Sequence, residues 1–471
     1  MNAYLVSTVV WVLTSPFLYG YHIVALNQIQ LTLQCADIIH PYTPRLGAFP
    51  VCIPMSDAAF GLVTSMFTVG GLIGSLSSGA IMNKLGRKGA VRINSFSIGL
   101  GSVIMMLAWS FWTLLIGRFL IGIGAGIAVC VAPVYLSEVA PHNIKGSVGV
   151  LTQVSVVIGI LLAQTAGLFF SPSSSHLWRA VFLISASLAA IQILLSAGIA
   201  DTPLWLTSVG RQVEAKAVAG RLWKNESALF RAEDEAEAHI GQPEAEGLLA
   251  GEADNDGTAS VKSETAVPPL SVVELFKLEP LRRPVWAIVL VMLAQQLSGI
   301  NSVMFYSNKI LASVIPGKAG YISLGISVLN VLMTFPAIYL VERLGRRSLL
   351  LGSMTLTYIS LIFIAIGLNQ NMIMLSSVAI LAFVGFFAIG LGPVPFVLIG
   401  ELVPFYAASS TSSLALSVNW MTNFLIGVGF LPLRDWLTTG EGEERKGDGN
   451  IFFVFAAAYA IVALAFLKVW R

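Results

Sequence analysis

Seven of the amide side chains inside the long apolar stretches of this sequence are candidates for chemistry: Gln153, Gln295, Gln296, Asn301, Asn330, Asn419 and Asn423. An amide donates and accepts hydrogen bonds without carrying charge. It can therefore meet a hydroxyl-rich solute in apolar surroundings without the cost of burying an ion. Asn419 and Asn423 are four residues apart and share a helix face. Gln295 and Asn301 are six apart and do not, but Ser298-Gly299 between them permits a break in the helix. Trp420, beside Asn419, offers an apolar face on which a pyranose ring can rest. Phe17, Phe305, Tyr306 and Phe396 are aromatic candidates for lining or gating the same pocket. These types suit reversible binding of a polyhydroxylated solute such as a sugar. A lone intramembrane amide is equally well read as glue between helices, so the binding reading rests on convergence.

Bond-making chemistry finds no support. The chain has no CxxC, HExxH or His/Cys cluster, no P-loop and no GxSxG with plausible partners, so no metal, cofactor or hydrolytic site is expected. A net charge of +2 with basic residues scattered over many loops argues against a nucleic-acid partner. Of the three cysteines, Cys130 lies in an apolar run as a packing residue, whereas Cys35 and Cys52 share one loop and can bridge in an oxidising compartment.

The elements that must position the amides follow from composition. A 471-residue chain with 56% hydrophobic and 11% charged residues and a mean hydropathy of +0.81 cannot hide its apolar surface in one water-soluble core. Lipid must be its solvent. Twelve apolar runs can each cross ~30 Å of hydrocarbon as a helix. They cover 4–27, 58–81, 91–109, 113–137, 147–169, 178–200, 284–311, 319–341, 348–367, 373–400, 407–431 and 451–470. The first has no basic leader and contains Pro16, Gly20, His22 and Asn27, which marks a spanning helix rather than a signal peptide.

Lys and Arg set the expected orientation. One set of loops, from Lys84 to Lys145, from Arg211 to Arg283, at Arg343, Arg346 and Arg347, and at Lys468 and Arg471, holds 19 of them. The opposite set holds seven. Basic loops stay in the cytoplasm, so both termini are expected there. The sequon Asn225-Glu226-Ser227 falls on the same side and should stay unglycosylated.

Two motifs recur. Asn83-Lys84-Leu85-Gly86-Arg87-Lys88 returns as Glu342-Arg343-Leu344-Gly345-Arg346-Arg347, with the glycines 259 residues apart. The run from Pro133 to Pro141 returns from Phe396 to Pro404, with Glu138 and Glu401 263 residues apart. Nearly one offset, six helices long, implies two homologous halves: residues 1–200 and 283–471. Between them, 201–282 divides into a segment of short amphipathic helices and an acidic stretch, 241–269, poor in large apolar residues and expected to be a disordered linker. Nothing in it names a protein partner.

At this point the residues resemble a family. Gly117-Arg118-Phe119, Pro133-Val-Tyr-Leu-Ser-Glu138, Gln153 to Gln164, Gln295-Gln296-Leu-Ser-Gly-Ile-Asn301, Gly392-Pro393-Val-Pro395 and Asn419-Trp420-Met-Thr-Asn423 are similar, in order and spacing, to sugar porters of the major facilitator superfamily. The nearest flavour is that of the glucose facilitators and their fungal relatives. The resemblance implies an all-α membrane protein of twelve transmembrane helices in two pseudo-symmetric halves. It implies monosaccharide transport, most simply of a hexose by facilitated diffusion, in a plasma or vacuolar membrane. Phe396 stands where glucose facilitators usually have Trp. His22 stands where symporting relatives have Asp, so proton coupling through a titrating imidazole is the runner-up. A non-transporting sugar sensor is the third reading.

The resemblance also implies a cytoplasmic gate, held by ion pairs between the ends of the halves. The matching residues are Arg87, Arg118 and Glu138 in one half and Glu342, Arg346, Arg347 and Glu401 in the other. Lys145 replaces an Arg, and Ala408 occupies another position where an Arg is usual. With partners missing, the substrate-free chain is expected to favour the inward-open state more than its relatives do.

Overall fold

The computed structural model describes residues 3–35, 45–46, 49–141, 144–170, 176–223, 270–300, 319–370, 372–438, 447 and 449–470. Twelve spans follow one another. They are α1 (Ala3–Val24), α2 and α3 (57–85 and 87–106, the two arms of Asp57–Met106), α4 (Phe111–Val139), α5 (Lys145–Phe170) and α6 (Arg179–Leu195). The second set is α7 (Glu279–Leu297), α8 (Ala319–Arg343), α9 (Arg346–Asn369), α10, α11 (Phe405–Leu437) and α12 (Asn450–Val469). α10 runs from Ile373–Phe386 through a π-helical turn, Phe387–Leu391, into Val394–Glu401.

The second and third runs form two helices that meet at a kink with a single non-helical residue between them. Gly86 adopts φ 79°, a left-handed angle open to glycine, and the chain turns there, with Arg87 N and Lys88 N bonded to Asp201 Oδ1 as the next helix starts. Gly345 repeats this at φ 78° between α8 and α9. The repeated motif is thus a repeated backbone turn.

Small residues set the packing. A Cβ on Gly70, Gly74, Gly122 or Gly126 would lie 2.1–2.3 Å from a backbone oxygen of the partner helix, so α2 and α4 touch main chain to main chain. Gly20 and Gly159 do the same for α1 and α5. Without a hydrophobic drive inside lipid, such close approach is what holds helices together. α4, which carries four glycines, is the most enclosed, and its residues from Gly124 to Leu136 are buried throughout.

Among the described residues nine helices are long and apolar enough to cross a membrane, one of them containing both α2 and α3. The spans outside that set are α7 and α11. Those are the helices carrying Gln295, Gln296, Asn419 and Asn423; α7 also opens with Glu279, Arg282 and Arg283, and α11 with a Ser/Thr-rich run from Ser409 to Ser413. Cys35 and Cys52 are bridged, closing the loop after α1.

The helix ends that carry the basic loops form what is here the basic end. The halves meet there. Glu342 Oε1 of α8 accepts from Ser147 N of α5 at 2.8 Å, and Ser147 Oγ donates to Ile338 O. On α11, Ser412 Oγ donates to Cys130 O of α4 at 2.8 Å, while Ser413 Oγ donates to Ser75 O of α2. A Cβ on Gly400 would press on Ser137 at 2.4 Å, so α10 and α4 are equally close. The two halves are in contact at this end of the structure. Hydroxyls and small side chains make the seam.

Candidate substrate-binding site

α10 breaks in mid-span for a reason written in its sequence. Pro395 has no N–H for Leu391 O, and Phe396 N turns to Pro393 O, which frees Gly392 O as well. The two freed carbonyls accept from Gln295 Nε2 of α7 at 3.0 and 3.1 Å. Carbonyls only accept, so the orientation of this amide is forced: both N–H groups point to α10, and Oε1 points away.

Asn419 on α11 continues the chain of bonds. Its Nδ2 donates to Gln295 Oε1 at 2.9 Å and to Met292 O at 3.3 Å, while its Oδ1 accepts from Gln296 Nε2 at 2.9 Å. Gln153 enters from the other half. Its amide nitrogen lies where a Cβ on Gly392 would touch it at 3.4 Å, and it makes no hydrogen bond among the described residues. Four of the amides read from the sequence, drawn from α5, α7 and α11, thus gather around the break in α10.

The remaining candidates fall elsewhere or cannot be placed. Asn330 of α8 is buried, and its Oδ1 has no partner. Asn423 is half-buried one turn beyond Asn419. Phe396 is buried in the second segment of α10. Trp420 is packed rather than open: its ring meets Tyr19 at 5.7 Å and Phe67 at 5.4 Å edge-on, and a Cβ on Gly71 would lie 2.6 Å from it. Its Nε1 is buried without an acceptor. Asn301, Phe305 and Tyr306 lie outside the described residues.

Sequence reading gave Gln164 only as the end of a family motif and not as a binding candidate; it is buried, with Oε1 unpartnered among the described residues. Its spacing of eleven from Gln153, three helical turns, puts it on the same face of α5, and that signal was present in the sequence.

The gate residues need correction in three respects. Arg87 donates through Nε and Nη2 to Glu138 Oε1 at 2.9 and 2.7 Å, and Arg346 donates to both oxygens of Glu401 at 2.8 Å. Both pairs lie within one half, staple the turn at Gly86 or Gly345 to the end of α4 or α10, and do not cross the gate. Among the described residues Glu342 is the gate residue that crosses, to Ser147, while also accepting from Arg346 at 3.1 Å. Arg347 is exposed and forms no ion pair among the described residues.

Arg118 does not belong to the gate. It sits twenty residues before Glu138, about 30 Å away along α4, fully buried, with Nη1 donating to His22 O at 2.9 Å and the guanidinium 4.7 Å over the Phe67 ring. His22 itself is buried, with Nε2 between Ser185 Oγ and Ser102 Oγ at 2.6 and 3.3 Å.

After α6, Asp201 does for α3 what a cap does. Its Oδ1 accepts from Arg87 N and Lys88 N at 2.9 and 3.2 Å, although burial raises its carboxyl above the usual range against those bonds.

The chain from residue 7 to 469 matches the family model described as "Sugar (and other) transporter". It belongs to the sugar transporter family of the major facilitator superfamily. This family member is 31% identical over 455 residues to a probable metabolite transport protein of Saccharomyces cerevisiae, covering 94% of this chain and 88% of the relative. It is 32% identical over 448 residues to human solute carrier family 2, facilitated glucose transporter member 5, covering 92% and 83%. Its fold matches the proton:xylose symporter XylE bound to 6-bromo-6-deoxy-D-glucose with a TM-score of 0.79 at 19% identity, over 99% of this chain and 96% of that one. The transporter FucP in the outward conformation matches with a TM-score of 0.60 at 14% identity, over 98% of both chains. The protein is a multi-pass integral membrane transporter with the major facilitator fold.

Proposed function

We propose that this transporter carries a hexose of the glucose type by facilitated diffusion, through alternating access between the halves 1–200 and 283–471. The observation that carries this reading is the amide cluster Gln153, Gln295, Gln296 and Asn419 at the break of α10. Uncharged donors and acceptors from both halves converge there, which suits hydroxyls and not ions. Rocking one half on the other exposes such a site to either side in turn.

Uniport is favoured over proton coupling by where the carboxylates lie. Among the described residues, those of α1–α12 occupy end turns only: Asp57, Glu138, Glu279, Glu342, Glu401 and Asp435. The titratable candidate left from the sequence is His22, buried in the last turn of α1, and its carbonyl is held by the buried cation Arg118.

The test is uptake of a panel of labelled monosaccharides into liposomes carrying the purified protein, with and without a pH gradient. Saturable D-glucose entry independent of the gradient is expected. Accumulation that follows an inward proton gradient would move the assignment to symport, and absence of sugar entry would remove it. The reading also places both termini and residues 201–282 in the cytoplasm, so protease added outside intact cells should spare that segment.

A further inference from the structure

Gln295 is only as well fixed as the two carbonyls that hold it, and these sit in the least regular backbone of the second half. A π-helical turn leaves backbone groups without their ordinary partners. In α10 the repair comes from one side chain on α9. Ser353 Oγ donates to Phe386 O at 2.7 Å and accepts from Leu391 N at 2.8 Å, so one hydroxyl spans the whole π turn from its entry to its exit. Gly390 lets α9 come this close: a Cβ there would lie 2.4 Å from Ser353 Cβ and 2.9 Å from its Oγ. Leu391 is then fixed at both ends, its N–H on Ser353 and its C=O on Gln295.

We propose that Ser353 is a positioning residue for the substrate: by stapling the π turn of α10 it fixes the carbonyls of Leu391 and Gly392, and so holds Gln295 facing the pocket as a hydrogen-bond acceptor. With both N–H groups spent on α10 and one lone pair of Oε1 taken by Asn419, Gln295 has one acceptor position left. A substrate hydroxyl meeting it must donate. The inference rests on the reading of Gln295 as a sugar contact, and it adds a residue three bonds of the network away from any sugar.

The test is competition for labelled D-glucose uptake in liposomes carrying the full chain, with each monodeoxyfluoro-D-glucose as competitor. Fluorine cannot donate, so the analogue substituted at the hydroxyl facing Gln295 should compete about 5- to 20-fold worse than glucose. Ser353→Ala frees the turn and lets the Gln295 amide rotate. KM should rise about 3- to 10-fold with little change in maximal rate, and the penalty for that one fluorinated analogue should shrink. Ser353→Cys, which keeps a weak donor in place, should fall between the two and serves if the alanine variant does not fold. In a Gln295→Ala background, Ser353→Ala should have no further effect on the analogue pattern. An unchanged pattern in Ser353→Ala, or an effect that adds in full to Gln295→Ala, would overturn the inference alone. If Gln295→Ala leaves the pattern untouched, the sugar-contact reading fails and this inference falls with it.

Discussion

Asn419 donates to Gln295 Oε1 across 2.9 Å, and this bond, with those to Met292 O and from Gln296, joins α11 to α7 at the point where α7 is also bound to the break in α10. Three helices of the second half are thereby tied at one place, and Gln153 of the first half faces it.

Removing Asn419 should therefore weaken binding in a defined way. Asn419→Ala leaves Gln295 Oε1 and Gln296 Nε2 without this partner, a loss of about 1–3 kcal/mol, or roughly 5- to 150-fold in affinity for substrate. Initial uptake rates against sugar concentration measure it. An unchanged KM would return Asn419 to the role of interhelical glue.

The two symmetry-related ion pairs should behave unequally. Arg87 and Glu138 are 3% and 2% exposed, whereas Arg346 and Glu401 are 27% and 20% exposed, and Arg346 keeps Glu342 as a second partner. Glu138→Ala strands a buried cation, at a cost of about 3–5 kcal/mol, while Glu401→Ala should cost roughly 1 kcal/mol or less. Thermal unfolding of the detergent-purified variants ranks them. Equal losses would mean that burial does not set the difference.

Much of this was legible beforehand because it is carried by residue type. Amides in apolar runs are conspicuous, and the Gly86 and Gly345 motifs declared the repeat. What was not legible depends on partners that packing supplies. Whether Arg87 reaches across the gate or back to Glu138 is decided by the turn at Gly86, where a Cβ would lie 2.1 Å from Asp201. Arg118 resembled a gate residue by its motif but lies at the other end of α4. Ser353 carried no signal at all, since its role exists only once α9 lies against the π turn.

Backbone contact between helices should make glycines unequal. Gly159→Ala would put a Cβ 2.1 Å from Phe17 O and force α1 from α5, whereas Gly352→Ala meets nothing within 4 Å. The first should lower the unfolding temperature or abolish folded yield, and the second should leave both unchanged. A tolerated Gly159→Ala would contradict the close packing described.

Cys130 reports on closure. It is the free cysteine, buried between α4 and α11 with Sγ 3.8 Å from Ser412 O, so the contact between the halves shields it. A maleimide should label it slowly in the unmodified protein. Glu342→Ala removes the contact with Ser147 across the gate and should speed labelling several-fold. Fast labelling at the outset would mean that the basic end stands open in the membrane.

The central claim is sugar transport without proton coupling, and counterflow tests it most directly. Liposomes carrying the protein and loaded with unlabelled D-glucose should take up labelled D-glucose transiently above its outside concentration, with L-glucose excluded. An imposed pH gradient should not alter the overshoot. No overshoot with any hexose, or one that appears only when protons run inward, would contradict the account.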